Sequence, residues 1–257
     1  MKKQLSVWVL AGLAGVPVVA VADEPASPHT LTANIGLTSN YVFRGISQTA
    51  GDPAIQGGFD YAHSSGFYLG TWGSNVSWLT GFQRYTSGSM ELDLYGGYRK
   101  TIGDFSYDLG AIRYMYPGSK NGGGLPGAWT SEAYVAAGWK WFTAKYSYAL
   151  SDSVFGVGPN ANGSYYFDLS GNLPVGDTGL SLGAHWGTFH FKNVSAANYD
   201  DWKIGASYDL GKLGRLGNGV TLAVAYTDTN ADRGFWTDAD GEYLGKNTTT
   251  VSISKAF

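Results

Sequence analysis

From Leu31 to the final Phe257 the sequence alternates apolar and polar side chains with a period of two, and it carries almost no helical repeat. Successive side chains of a strand point to opposite faces, so each such stretch has one oily face and one wet face. In 31–43, Leu31, Ala33, Ile35, Leu37, Tyr41 and Phe43 oppose Thr32, Asn34, Thr38 and Asn40. The same rhythm sets strand cores at 55–61, 67–75, 90–99, 105–116, 131–139, 142–150, 164–173, 179–189, 201–210, 220–228 and 248–257. With 31–43 these make twelve, an even number, as single-chain bacterial barrels have. Parity is open in two places. Both faces of 67–75 are mixed, and Arg113 shares a face with Phe105, Tyr107 and Leu109. Either Arg113 lies above the hydrocarbon band, or a bulge after Gly110 reverses the register.

Alternation alone also fits a soluble sandwich or a lipocalin-like barrel. Three features favour a membrane. The long connectors 44–54, 76–89, 117–130, 151–163, 190–200 and 229–247 alternate with short ones, the pattern of long outer loops and short periplasmic turns. Aromatic residues cluster at both strand ends. Tyr41, Phe43, Trp129, Phe189, Trp202 and Tyr226 lie near the loops, and Tyr98, Phe105, Tyr107, Trp139, Trp141, Tyr208 and Phe257 near the turns. Rings of this kind form the two interfacial girdles of a spanning barrel. Finally, Val251, Ile253 and Phe257 alternate with Ser252, Ser254 and Ala256. A last strand ending on an aromatic resembles the signal read by the outer-membrane assembly machinery. Lys255 interrupts its oily face near the end, where a long side chain can snorkel.

The N-terminus points the same way. Lys2 and Lys3 precede a mostly apolar Leu5–Val21, and Ala20-Val21-Ala22 matches a cleavage site, so residues 1–22 read as a signal peptide and 23–257 as the barrel. No other apolar run is long enough for a spanning helix. The absence of cysteine excludes disulfide frameworks and thiolate metal sites. A net charge of −3 with no basic run argues against nucleic acid. The expected fold is therefore all-β: a transmembrane antiparallel up-and-down β-barrel of about 12 strands, with both termini in the periplasm.

The segment Ser39-Asn40-Tyr41-Val42-Phe43-Arg44-Gly45-Ile46-Ser47-Gln48-Thr49 resembles the opening signature of the TorF family of porins. Tyr107 to Tyr114, followed by Tyr116-Pro117-Gly118, and Glu132-Ala133-Tyr134-Val135 are similar to the same family. The resemblance spans most of the chain beyond residue 22. It implies a proteobacterial outer-membrane porin and no established substrate or catalytic residue.

In a barrel the wet face lines the lumen. By parity the pore-lining groups are Asp60, Glu91, Asp93, Arg99, Lys145, Asp168, His185, Lys203 and Asp209, with Arg44 at the outer end of the first strand. Charges of both signs give a transverse field that sorts small polar solutes. The alternative is that these charges pair across a closed interior. The expected partners are outer-membrane lipids, the assembly machinery through Phe257, and small hydrophilic solutes, with no cofactor. Loop 229–247, with Arg233, Trp236 and Asp240, is the candidate constriction.

Two rival functions follow from the same residues. A sealed adhesive barrel would expose Trp78, Phe82 and Tyr85 on its loops. An outer-membrane hydrolase would centre on His185, although no nucleophile motif accompanies His29, His63, His185 or His190. The acidic pairs Asp200-Asp201 and Asp238-Asp240 lack calcium-loop spacing, and Gly122-Gly123-Gly124 lacks the Lys-Ser/Thr of a phosphate loop.

Overall fold

The computed structural model describes residues 27–257. The signal-peptide expectation for 1–22 lies outside these residues. The strands are β1 (His29–Thr38), β2 (Val42–Phe43), β3 (Ile46–Ser47), β4 (Ala54–His63), β5 (Phe67–Asn75), β6 (Met90–Ile102), β7 (Phe105–Met115), β8 (Thr130–Trp139), β9 (Phe142–Ala149), β10 (Tyr165–Pro174), β11 (Leu180–His190), β12 (Tyr199–Asp209), β13 (Val220–Thr229) and β14 (Thr248–Ala256). Strand β1 and strands β4 to β14 close into one antiparallel barrel of neighbours in sequence, sealed where β1 meets β14. Closure leaves no sheet edge, so every strand satisfies its backbone groups on both sides.

The outward faces are oily. Leu31 (74% exposed), Phe59, Leu69, Leu94, Leu109, Val135, Leu169, Ile204 and Val251 all point away from the lumen. Such a surface on a soluble protein would bury itself; around a closed barrel it matches hydrocarbon. Val135 lies between Leu109 and Tyr146 in mid-strand. Val135→Arg is expected to lower stability by about 2–4 kcal/mol. Urea unfolding of vesicle-reconstituted protein measures this, and wild-type stability in the variant would contradict a hydrocarbon-facing belt.

Both open parities are resolved. In β5, Tyr68, Gly70, Trp72 and Ser74 point inward and Phe67, Leu69 and Thr71 outward. The register of β7 runs without a bulge on both sides. Arg113 therefore faces outward near the outer end of β7, with its guanidinium over the Trp129 ring at 5.4 Å and donating to Ser131 Oγ at 2.7 Å. Lys255 also faces outward, and its ammonium donates to the Asn218 carbonyl in the turn beyond β12.

The turn-side aromatic girdle is present: Phe105, Trp139, Trp141 and Phe257 are exposed on the outside. The loop-side expectation needs correcting. Trp129 and Trp202 face outward, but Tyr41 and Phe189 are buried inside the barrel. Also corrected is the first strand. It stops at Thr38 rather than 43, because the chain turns into the lumen there.

Candidate functional site: a plugged lumen

Residues 39–53, between β1 and β4, fold inward as a small hairpin. Strands β2 and β3 pair Val42 with Ser47 and Phe43 with Ile46. The two linking residues, Arg44 (φ 46°) and Gly45 (φ 79°), both have positive φ, as a tight two-residue hairpin turn requires. Glycine is also demanded by contact, since a Cβ at Gly45 would collide with the Asp201 side chain on β12. The hairpin is anchored to the other outer loops through Ser47 N–H to Leu244 O (2.8 Å) and Ser77 N–H to Gln48 O (2.8 Å).

At the tip, Arg44 makes a bidentate pair with Glu132 on β8, both bonds 2.7 Å. Arg44 thus sits not at the outer end of a strand but inside the lumen, reaching one wall while Gly45 abuts another. Four aromatic rings, Phe43, Phe155, Tyr166 and Phe189, lie 4.4–5.9 Å from the guanidinium. Burial opposes the charge of Arg44, and Glu132 opposite outweighs that, leaving the guanidinium held above its ordinary pKa. Beside it, burial and the Glu91 carboxylate push the Tyr41 phenol up, so it stays a neutral donor to Glu91 at 2.8 Å.

An aromatic core fills the outer half around this hairpin. Tyr41, Ile46, Trp72, Trp78, Tyr116, Phe191, Tyr199, Trp236 and Leu244 are all buried there. Phe82 stacks on Trp236 at 5.2 Å. Loop 230–247 does contribute Trp236 and Leu244, but it caps the hairpin; the inserted element is the first loop, not the expected last one. The surface aromatics required for an adhesive barrel are not on display, because Trp78 and Tyr85 are buried.

Farther from the outer loops the interior changes character. The inward faces of β13, β14 and β1 carry only small side chains, such as Ala223, Ala225, Ser252, Ser254, Asn34 and Gly36, and each of these is partly solvent-accessible. On the same strands, Thr38 and Thr227 under the hairpin are buried. The lumen is thus a cup, packed at the loop end and hollow at the turn end.

The wall charges are organised by register. Arg99, Asp108, Ala136, Lys145, Asp168, Gly187 and Asp201 are successive partners across β6 to β12, all facing inward. Most acids have a phenol donor: Tyr95 to Asp60 (2.7 Å), Tyr68 to Asp108 (2.6 Å) and Tyr166 to Asp201 (2.8 Å). These tyrosines lie flat on the wall because the adjoining strand offers a glycine; a Cβ at Gly187 would strike the Tyr166 phenol. Arg99 stacks over Tyr68 at 3.9 Å, and Lys145 over Tyr134 at 4.0 Å. Asp93 is buried beside Glu91, with Oδ1 lacking a hydrogen-bond partner among the described residues. Asp209 stands apart, accepting from Gly211 N–H (2.8 Å) to cap the short helix that follows β12.

His185 sits between two carboxylates, Nδ1 2.5 Å from Asp168 and Nε2 2.8 Å from Asp201. Ser170 Oγ donates to Asp168 at 2.6 Å rather than to the imidazole. Both ring nitrogens face acceptors, so neither is left to take a proton from a nucleophile. The arrangement clamps the ring instead of activating a hydroxyl.

A family model described as "Bacterial protein of unknown function (Gcw_chp)" matches residues 22–257. The chain belongs to this family. No curated protein shows significant sequence similarity. Among solved structures, the KdgM porin is similar with a TM-score of 0.53 at 8% identity, covering 89% of this chain and 99% of that one. A second KdgM porin structure, in complex with disordered oligogalacturonate, gives 0.54 at 8% identity, with 89% and 99% covered. The NanC porin gives 0.54 at 10% identity, with 88% and 99% covered. At these identities the likeness establishes a shared porin-type barrel fold.

In this Gcw_chp member the sequence reading missed two of the most constrained groups, Glu132 and Asp201, which are 2% and 1% exposed. Asp200-Asp201 reads as a solvated acidic pair, but the strand splits it. Asp201 points inward to His185, while Asp200 receives Asn230 Nδ2 at 3.3 Å. Period-two parity carries the signal, since Asp201 opens the expected strand 201–210 on the same face as Lys203, and Glu132 lies within the expected strand 131–139.

Proposed function

We propose that this chain is an outer-membrane channel for small hydrophilic solutes, of the porin type that the TorF resemblance implies, with the first-loop hairpin as its constriction. The observation that carries the reading is the pairing of an oily barrel exterior with a charged interior that is hollow at the turn end. A barrel held together only as a scaffold would gain stability from an apolar, filled interior, whereas this one retains charged groups around empty space. The KdgM porin, a neighbour of like fold, has been captured with an acidic oligosaccharide, and this supports solute passage as a use for such a barrel.

The test is reconstitution of the purified mature chain in planar bilayers. Discrete conductance steps, small because the outer half is packed, are the expected result. Absence of steps both in the intact chain and after removal of the hairpin would refute the channel.

A further inference from the structure

We infer that Lys145 and Lys203 form an anion-binding station inside the cup, suited to a small solute bearing carboxylates; this rests on the channel reading and names its solute class. Both lysines face the lumen, Lys145 paired in register with Asp168 on β10 and Lys203 with His185 on β11. Neither ammonium forms an ion pair with a described carboxylate. The reason lies next to them. Asp168 and Asp201, the acids that would neutralise the lysines, are both engaged by His185 at 2.5 and 2.8 Å. The hydroxyls of Ser170 and Tyr166 occupy further lone pairs of these acids. A protonated imidazole between the two acids offsets one of their two negative charges, so with Lys145 and Lys203 this wall keeps a net positive charge, and neither ammonium has an ion pair of its own among the described residues.

No other lumen acid forms an ion pair with either lysine among the described residues. Glu91, Asp93 and Glu132 are buried under the hairpin, Asp60 takes the Tyr95 phenol on the far side of the barrel, and Asp108, two strands from Lys145 in the same register row, takes the Tyr68 phenol. Strands β9 and β12 are three spacings apart, roughly 14 Å along the wall. Lysine side chains rising from both into a concave lumen can converge on one solute carrying two or more carboxylates. The half-exposed small residues of β13 and β14 leave the path to them open from the turn end.

Citrate serves as the probe. Titration calorimetry in detergent measures its binding to the intact chain and to Lys145→Gln/Lys203→Gln, with a heat-shifted band on electrophoresis verifying that each variant is folded. Binding in the intact chain that weakens at least tenfold in the double variant is the expected result, together with loss of binding in high salt as screening predicts. No binding to the intact chain, or equal binding to the variant, overturns the station. Bilayer recordings run in parallel separate the two readings. Citrate-induced current interruptions absent from the double variant support both, and citrate binding without conductance either in the intact chain or after removal of the hairpin leaves the station standing while refuting the channel.

Discussion

Replacing residues 40–52 with a short Gly-Ser turn should raise single-channel conductance several-fold or more. The hairpin fills the lumen from the β1–β4 side to β8 and β12, and its removal takes away Tyr41, Phe43, Arg44 and Ile46 from the buried mouth. Barrel closure does not depend on it, because β1 pairs directly with β4 over ten residues and with β14 on its other side. The remaining inward groups there, Glu91, Asp93 and Glu132, would then face water and form an acidic ring, favouring cations. Planar-bilayer recording measures both changes. Conductance identical to that of the intact chain would show that the hairpin does not obstruct passage.

The second large effect is expected from Arg44→Ala. Removing one partner of a buried ion pair costs about 3–5 kcal/mol, mostly because the remaining charge is left uncompensated. Among the described residues Glu132 has one other hydrogen-bond donor, Tyr114 Oη at 3.5 Å, so it would be in that position. The barrel need not unfold to relieve this. Undocking the hairpin returns Glu132 to water, so the lost energy appears as a shift in the docked–undocked balance of about a hundredfold or more. The chain contains no cysteine, which makes a single introduced thiol a clean reporter. Ser47→Cys, buried in the docked hairpin, should react with a maleimide at least a hundredfold faster when combined with Arg44→Ala. Restoring a matched apolar pair, Arg44→Met with Glu132→Leu, should recover most of the protection. Equal labelling with and without Arg44 would mean that the aromatic packing alone holds the hairpin.

How much of this was legible beforehand depends on which force decides each part. The strands were legible because lipid outside and water or polar wall inside impose strict alternation. Expected and observed ends at 67–75, and at 142–150 against Phe142–Ala149, differ by at most a residue. The hairpin was not, because Tyr41 and Phe43 continue the apolar phase of β1 beyond Thr38. Alternation cannot distinguish a residue facing lipid from one facing a buried plug. The positive-φ turn at Arg44-Gly45 was the local clue, and its weight depends on Glu132, far away in sequence. The lumen charges divide likewise. Parity places Glu91, Asp93, Lys145 and His185 on one face, but which acid neutralises which base is set by strand register.

The hairpin also has implications for biogenesis. Its anchors lie on β8, on β12 and on the loop before β14, so the earliest part of the barrel must wait for nearly the last before it can settle. Contacts of such long sequence separation form late. Until then the nascent cylinder is unstoppered, and the docking of Arg44 marks the moment at which a wide-open intermediate becomes the finished, narrowed barrel.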